Sequence, residues 1–439
     1  MIYGISSLMM DTYIFFSNRT NISVFMSFVW FSVESATATI LLRIFGSRWG
    51  QRFSVSIALL FSGMCSLIFI LNNSETIKII TGCLGRMSMS YMLLMYVQYV
   101  PEFFPTTLRT QGTALIHFLS IVMHFAAPYV IILASIWREL PMIIIAILSL
   151  LNSVLILFLP ETLGKNLPQT LEDAKMEKLN NDDNEQCLTR GRKKIEDFDD
   201  ILTHVGDFGK YQFTLMLSLI VFGSGLTTIY FSQIFLTLVP QKHWCKVNEL
   251  MNFNLTQEER RKLIIPQSKD YPYYDRCNYK IFNYTNISRD NFNSFNWNAD
   301  KSIKCSQWEY DFNEIPYATI STELNWVCEK EYLIATTQSL FYVGSVFGNF
   351  IFGWISDHYG RTRGLLCCTI AAFFASIATA HSHNFWSFAA CRFFVGFAYD
   401  SIIMIPMIIV LEYVMPMKRS LIGWLAMGVN FTIGALTLM

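Results

Sequence analysis

Ten apolar stretches are long enough to cross a membrane, at approximately 24–43, 54–72, 79–99, 112–135, 140–159, 213–239, 334–354, 364–380, 386–411 and 421–439. A hydrocarbon layer about 30 Å thick takes roughly 20 residues of helix at 1.5 Å each. Backbone groups find no water there, so helices are predicted rather than open strands. Residues 1–16 form an eleventh, shorter stretch. It carries Asp11 and no basic lead-in, so it reads as a truncated helix and not as a signal peptide.

Polar sequence interrupts this pattern twice. Residues 161–212 mix both signs of charge and predict a cytoplasmic linker between a bundle over 1–160 and a second over 213–439. The other break, 240–333, holds Cys245, Cys277, Cys305 and Cys328, with N-x-[ST] acceptors at Asn254, Asn283 and Asn286. That is the make-up of an extracellular, disulfide-bonded and glycosylated loop. Its four cysteines allow three pairings.

Composition then narrows the class. Of 439 residues, 53% are hydrophobic and 15% charged, with 33 basic side chains balancing 33 acidic ones. A soluble domain devotes about a quarter of its residues to charge, so much of this surface faces lipid. A neutral chain without a basic face gives nucleic acid no footing. The short loops assigned to the inside hold Arg43, Arg48, Arg52, Arg109, Arg361, Arg363, Lys418 and Arg419, whereas the short outer ones offer Lys78 and Arg138. This bias agrees with an external cysteine-rich loop and an internal linker.

Residues at the inner helix ends recur at one step. Gly50 and Gly360 are 310 apart, as are Glu102 and Glu412, and Arg109 and Arg419; Ser47 falls opposite Asp357. Two copies of one bundle are expected, enclosing a path where they meet.

Within Gly353-Trp-Ile-Ser-Asp357-His-Tyr-Gly360-Arg361-Thr-Arg363, Gly360 permits a tight turn and the arginines stay in the headgroup layer. The segment resembles the G-x-x-x-D-x-x-G-R-x-R signature of the major facilitator superfamily. Cys305-Ser-Gln-Trp308-Glu-Tyr310-Asp311 and Glu323-Leu-Asn-Trp326-Val-Cys328 resemble the extracellular loop of the organic cation, anion and carnitine transporter family. Glu196-Asp-Phe-Asp199-Asp200 with His204 and Gly206 is similar to that family's amino-terminal leader. Pro101-Glu102-Phe-Phe-Pro105-Thr106-Thr-Leu-Arg109 is similar to its loop after the tenth helix, and Pro160-Glu161-Thr162-Leu-Gly164 to the sequence after the twelfth. The resemblance implies an all-helical membrane protein of two major-facilitator half-bundles in swapped order. Its carboxy-terminal half comes first, with about ten full helices and a truncated one. A fusion of two neighbouring genes gives this order directly.

The resemblance further implies a plasma-membrane carrier, secondary or facilitated, that moves small organic ions by alternating access. Its partners would be the substrate and the bilayer, with no cofactor, no metal and no enzymatic step. A truncated or fused protein that binds or associates without transporting is the alternative. Asp357, Gly360, Arg361, Arg363, Glu412 and Arg419 would form one inner latch and Glu102 with Arg109 the other, or the same charges would be static ion pairs.

An acid at membrane depth is expensive unless it meets a partner or a wet cavity. Asp400 is therefore predicted to be a cation or proton site, with a structural pair to Arg392 as the plain alternative. Glu34 sits on a small-residue face and lines the cavity or serves close packing. Arg392, in an Arg-x-x-x-Gly396 pattern, contacts substrate or is structural. His117, Ile121 and His124 share one helical stripe. The histidines make either a titratable lining or satisfied packing groups. In the resembling transporters the position of Ile121 carries an acid or an arginine, so its neutrality leaves substrate charge open. Ile403 and Met407 stand where cation carriers place aromatics.

Overall fold

The computed structural model describes residues 2–17, 24–72, 74–103, 109–133, 137, 139–159, 209–248, 256–266, 274–280, 302–313 and 315–413. The chain divides into two compact units. The larger takes in Met1–Ser232, Ala335–Ser382 and Trp386–Met439; the smaller is Gln233–Ile334 with His383–Phe385. The predicted glycan acceptors Asn254, Asn283 and Asn286, most of the linker, Arg419 and the stretch 421–439 lie outside the described residues.

The larger unit is helical. Its elements are α1 (Ile2–Ser17), α2 (Val24–Trp49), α3 (Gln51–Leu71), α4 (Glu75–Phe103), α5 (Arg109–His124), α6 (Ala127–Ile132) and α7 (Leu140–Ile156). After the linker come α8 (Lys210–Leu236, which runs on into the smaller unit) and, beyond the loop, α11 (Tyr332–Tyr359), α12 (Arg361–Ala380) and α13 (Phe385–Glu412). Several helices outrun the apolar stretches that predict them. Hydropathy marks only the hydrocarbon part, and residues such as Gln51, Glu75, Lys78 and Asp357 carry the helix on into the polar layer. Five spans are long and apolar enough to cross a membrane among the described residues: Gln51–Leu71, Leu115–Ile132, Cys328–Tyr359, Arg361–Ala380 and Phe385–Ile409.

Two boundaries differ from expectation. The predicted helix over 112–135 is broken at Phe125 and Ala126, because Pro128 has no N–H to bond the carbonyl one turn back. The carbonyl of Phe125, left without its usual helical donor, accepts from Ser339 Oγ at 3.1 Å. The linker also ends early, since α8 is already helical at Lys210.

The helices are apolar outside and mixed within. On α12, Leu366, Ile370, Phe373 and Ile377 are exposed in one stripe, while Gly364, Cys368, Ala372 and Ala375 are buried. On α3 the buried face carries Ser54, Ser56, Ser62 and Ser66. Ser56 and Ser153 of α7 exchange bonds with each other's carbonyls at 2.9 and 3.0 Å. Small residues and hydroxyls at the seam, large apolar ones outside, are what lipid as solvent selects. Arg52 caps the end of α7, donating to the carbonyls of Leu157 and Leu159 at 3.2 and 3.1 Å.

The 310-residue step is visible in the backbone. Gly50 opens α3 at φ 86° and ψ 156°, and Gly360 opens α12 at φ 96° and ψ 151°. Both turns need a residue free of a Cβ. Helices α2 and α11 end on residues 49 and 359, and α4 and α13 begin at 75 and 385. At one equivalent crossing the copies differ in chemistry. Glu34 of α2 and Arg86 of α4 form a buried fork, with Nε to Oε2 at 2.6 Å and Nη2 to Oε1 at 3.0 Å. The positions 310 residues on are Gly344 and Gly396. There α11 and α13 touch through backbone: a Cβ on Gly396 would stand 1.9 Å from the Phe341 carbonyl oxygen, and one on Gly344 2.0 Å from that of Phe393.

The smaller unit is knit by short strands. β1 (His243–Cys245) pairs antiparallel with β4 (Trp308–Tyr310), placing His243 opposite Tyr310; β2 (Asn278–Lys280) pairs with β3 (Ser302–Lys304). α9 (Gln257–Ile264) lies between β1 and β2, and α10 (Ile320–Glu323) follows β4. Thr256 caps α9 in a reciprocal box with Glu259. The cysteines pair as Cys245–Cys305 and Cys277–Cys328. Arg261 lies over the rings of Trp244 and Tyr274, 5.4 and 4.8 Å from their centroids.

Candidate functional site

The site grows from α5. His117 and His124 are seven residues apart on one face, with Ile121 buried between them. Each histidine meets a buried carboxylate. His124 Nδ1 is 2.5 Å from Asp11 Oδ2, and its ring stacks on Tyr342 at 5.1 Å. Tyr342 Oη donates to the same Asp11 oxygen at 2.7 Å. His117 Nε2 stands 3.5 Å from Asp400 Oδ1. The other oxygen of Asp400 accepts from Ser345 Oγ and, at 3.2 Å, from Asn349 Nδ2. Ser401 Oγ holds Asn349 in turn, donating to its side-chain oxygen at 3.2 Å.

Two acids from opposite ends of the sequence thus flank one helix. Asp11 comes from α1 and Asp400 from α13, while Ser345, Asn349 and Tyr342 come from α11. Aromatic rings line the same region: Tyr3 packs on Tyr96 at 5.2 Å and on the His117 ring at 6.3 Å, and Tyr399 packs on Phe341 at 5.2 Å. Carboxylates beside tyrosine rings suit a small ammonium group or a proton.

The remaining expected residues fall elsewhere. Glu34 is 5% exposed and forms the ion pair with Arg86, itself 4% exposed, which also reaches Ser27 Oγ at 3.2 Å. The structure therefore places Glu34 in a charge pair between helices, not among the small-residue contacts of its own face. Arg392 does not pair with Asp400. It is 3% exposed, lies 5.5 Å over the Phe388 ring, and its Nε and Nη1 have no hydrogen-bond partner among the described residues. Asp357 pairs with Arg361 across the Gly360 turn, and Arg363 is exposed. The side chains of Glu102, Arg109 and Glu412 lie outside what is described. Among the described residues no three of His, Cys, Asp and Glu gather as metal ligands.

Sequence reasoning missed, among others, Asp11 and Tyr342 of the site, and Arg86, the partner of Glu34 outside it. Asp11 served only as an argument against a leader peptide, although an acid in an apolar stretch is itself the signal. Arg86 lies inside the stretch 79–99 and passes there as a tolerated charge. Tyr342 has no sequence signal, since a tyrosine in a membrane helix is ordinary.

The helices and their glycine turns define a fold class. In three dimensions the chain is similar to the crystal structure of D-xylose-proton symporter, with a TM-score of 0.51 at 13% identity, covering 99% of this chain and 85% of that one. The fold is accordingly the helical one of major-facilitator transporters. Residues 315–438 match the family described as Major Facilitator Superfamily. In sequence the chain is similar to the "Carcinine transporter" of Drosophila melanogaster, 30% identical over 240 residues, which is 52% of this chain and 34% of that protein. It is also similar to the "Beta-alanine transporter" of the same fly, 28% identical over 241 residues, 51% of this chain and 39% of that one. The chain thus spans between a third and two-fifths of the length of these relatives.

Proposed function

We propose that the chain is a transmembrane carrier, and not an enzyme, that moves a small organic ion by alternating access between its two half-bundles. The observation that carries this reading is the meeting of Asp11 and Asp400, one from each half, on the two-histidine face of α5. Buried acids at such a junction are retained where solute or ion passes. Both relatives are named for amine-bearing molecules, and paired carboxylates beside tyrosines favour a substrate with an ammonium group. Asp400 and Asp11 would receive it, and Tyr3 and Tyr399 would face its alkyl stem.

The finer assignment is to the organic cation, anion and carnitine transporters, with the carboxy-terminal half preceding the amino-terminal half. Support comes from the loop and leader motifs and from the shared turn geometry at Gly50 and Gly360. In this reading the cysteine-rich unit faces outward at the plasma membrane and the linker faces the cytoplasm. Asp357, Arg361, Arg363, Glu412 and Arg419 latch one inner loop, with Glu102 and Arg109 opposite.

Purified chain in liposomes should take up labelled β-alanine or carcinine saturably, and Asp400→Asn should abolish uptake while the protein stays folded. Flat uptake from folded wild-type protein would reject transport and leave a binding or associating role.

A further inference from the structure

We propose that Arg392 is a receptor for the carboxylate of a small molecule, so that the solute carried is a zwitterion and not a simple amine. This deepens the carrier reading by naming the solute's second charged end. Two arginines are buried among the described residues, Arg86 and Arg392, at 4% and 3% exposed. The first shows what such a group requires. Arg86 lies over the Phe31 ring at 5.9 Å and is forked by both oxygens of Glu34, at 2.6 and 3.0 Å. Arg392 has the ring, Phe388 at 5.5 Å, but no carboxylate: its Nε and Nη1 are buried and make no hydrogen bond among the described residues. A guanidinium keeps its charge wherever it is placed, so burying one without an anion is costly. Arg392 thus presents half of the arrangement that Arg86 completes.

The helices of its own half offer no spare carboxylate. Helices α8, α11, α12 and α13 contain three acids, Asp357, Asp400 and Glu412. Asp357 pairs with Arg361, and Asp400 is held by Ser345 and Asn349. Glu412 is 20 residues beyond Arg392 on α13, about 30 Å along the axis. In the other half Asp11, Glu34 and Glu139 are engaged by His124, Arg86 and Lys78. The place of Arg392 suits a solute. Gly396, one turn on and on the same face, lies against the Phe341 carbonyl, so backbone fills that seam. Phe341 packs in turn on Tyr399 and on Tyr342, which binds Asp11. Arg392 therefore borders the aromatic wall of the two-acid site. Asp400 is two turns further along α13, a rise of about 12 Å, so the carboxylate and ammonium ends are received at separate places. Opening of the half-bundles admits the solute, and to that extent the proposal rests on the carrier reading.

The test uses the full chain in lipid nanodiscs. The probes are propionate as a bare carboxylate, propionamide as its uncharged counterpart, β-alanine as the zwitterion and ethylamine as the amine alone. Propionate should raise the thermal unfolding midpoint of wild type with increasing concentration, and propionamide should not. β-Alanine should bind roughly tenfold more tightly than ethylamine. Arg392→Gln should remove both that advantage and the propionate effect, while ethylamine binding stays within about twofold of wild type. Arg392→Lys keeps a charge without the fork and should retain part of the propionate effect, so the site is still tested should the glutamine variant fail to fold. A propionate effect lost in Arg392→Gln, with β-alanine and ethylamine bound alike by wild type, overturns the zwitterion and leaves a site for a free carboxylate. The same effect with no β-alanine uptake in liposomes supports the arginine site and rejects the carrier reading. No propionate effect on wild type, or one undiminished in either variant, overturns the proposal and leaves the carrier reading intact.

Discussion

Arg86 and Glu34 hold each other in a setting that, among the described residues, offers neither charge a second salt-bridge partner. Removing one leaves the other buried and uncompensated, a loss of about 3–5 kcal/mol for such pairs. Arg86→Leu or Glu34→Leu should therefore lower the thermal unfolding midpoint in detergent markedly, and the double substitution should recover much of the loss. Single variants as stable as wild type would show that water reaches the pair. Residues at this scale were legible in the sequence where a charge stands alone in an apolar run, as with Asp400, His117 and His124. Their partners were not. Glu34 and Arg86 are 52 residues apart, and no spacing rule ties one helix to another across such a distance. The alternative that Asp400 pairs with Arg392 fails because they point to different neighbours, Asp400 to α5 and α11 and Arg392 to the ring of Phe388.

Elements were easier to read than their interruptions. Hydropathy predicts a single helix through Phe125 because it weighs side chains and is blind to the hydrogen bond that Pro128 deletes. The three-residue strands of the cysteine-rich unit are too short to show alternation, and their pairing comes from disulfides and ring contacts that sequence leaves open. Contact between α11 and α13 was likewise hidden, since glycine marks close approach without naming the partner. Gly396→Ala would drive a methyl to 1.9 Å from the Phe341 carbonyl oxygen, whereas Gly353→Ala meets nothing within 4 Å. The first variant should fail to give a monodisperse peak by size-exclusion chromatography; the second should match wild type. Equal behaviour of the two would mean that α11 and α13 slide apart freely.

For the molecule as a whole, acidity is expected to act on the cysteine-rich unit. In the cysteine-rich unit His243 is buried, donates from Nδ1 to the Pro240 carbonyl at 2.8 Å, and has its pKa pushed down to about 4 by burial, with the Arg276 charge adding to it. The unfolded chain takes a proton near pH 6.5 and the folded unit refuses it until about 4. Stability of this unit is therefore full above pH 6.5, falls by about 3 kcal/mol as pH drops toward 4, and levels off below. Exchange of the β1 and β4 amides should quicken over that window, and His243→Phe should remove the dependence; an unchanged profile in the variant would refute the assignment. Membrane class and the repeat were visible from sequence because both are written in composition and spacing. The meeting of Asp11 and Asp400 on α5 depends on side chains that only the fold assembles.

The two copies of the bundle solved one crossing in two ways, and the difference has a mechanical result. Backbone laid on backbone at Gly344 and Gly396 leaves no side chain to trim or lengthen, so the gap between α11 and α13 has a single setting. At Glu34 and Arg86 long side chains fill the gap, and side chains can be exchanged. Of these two crossings, one can be retuned by exchanging side chains and the other cannot.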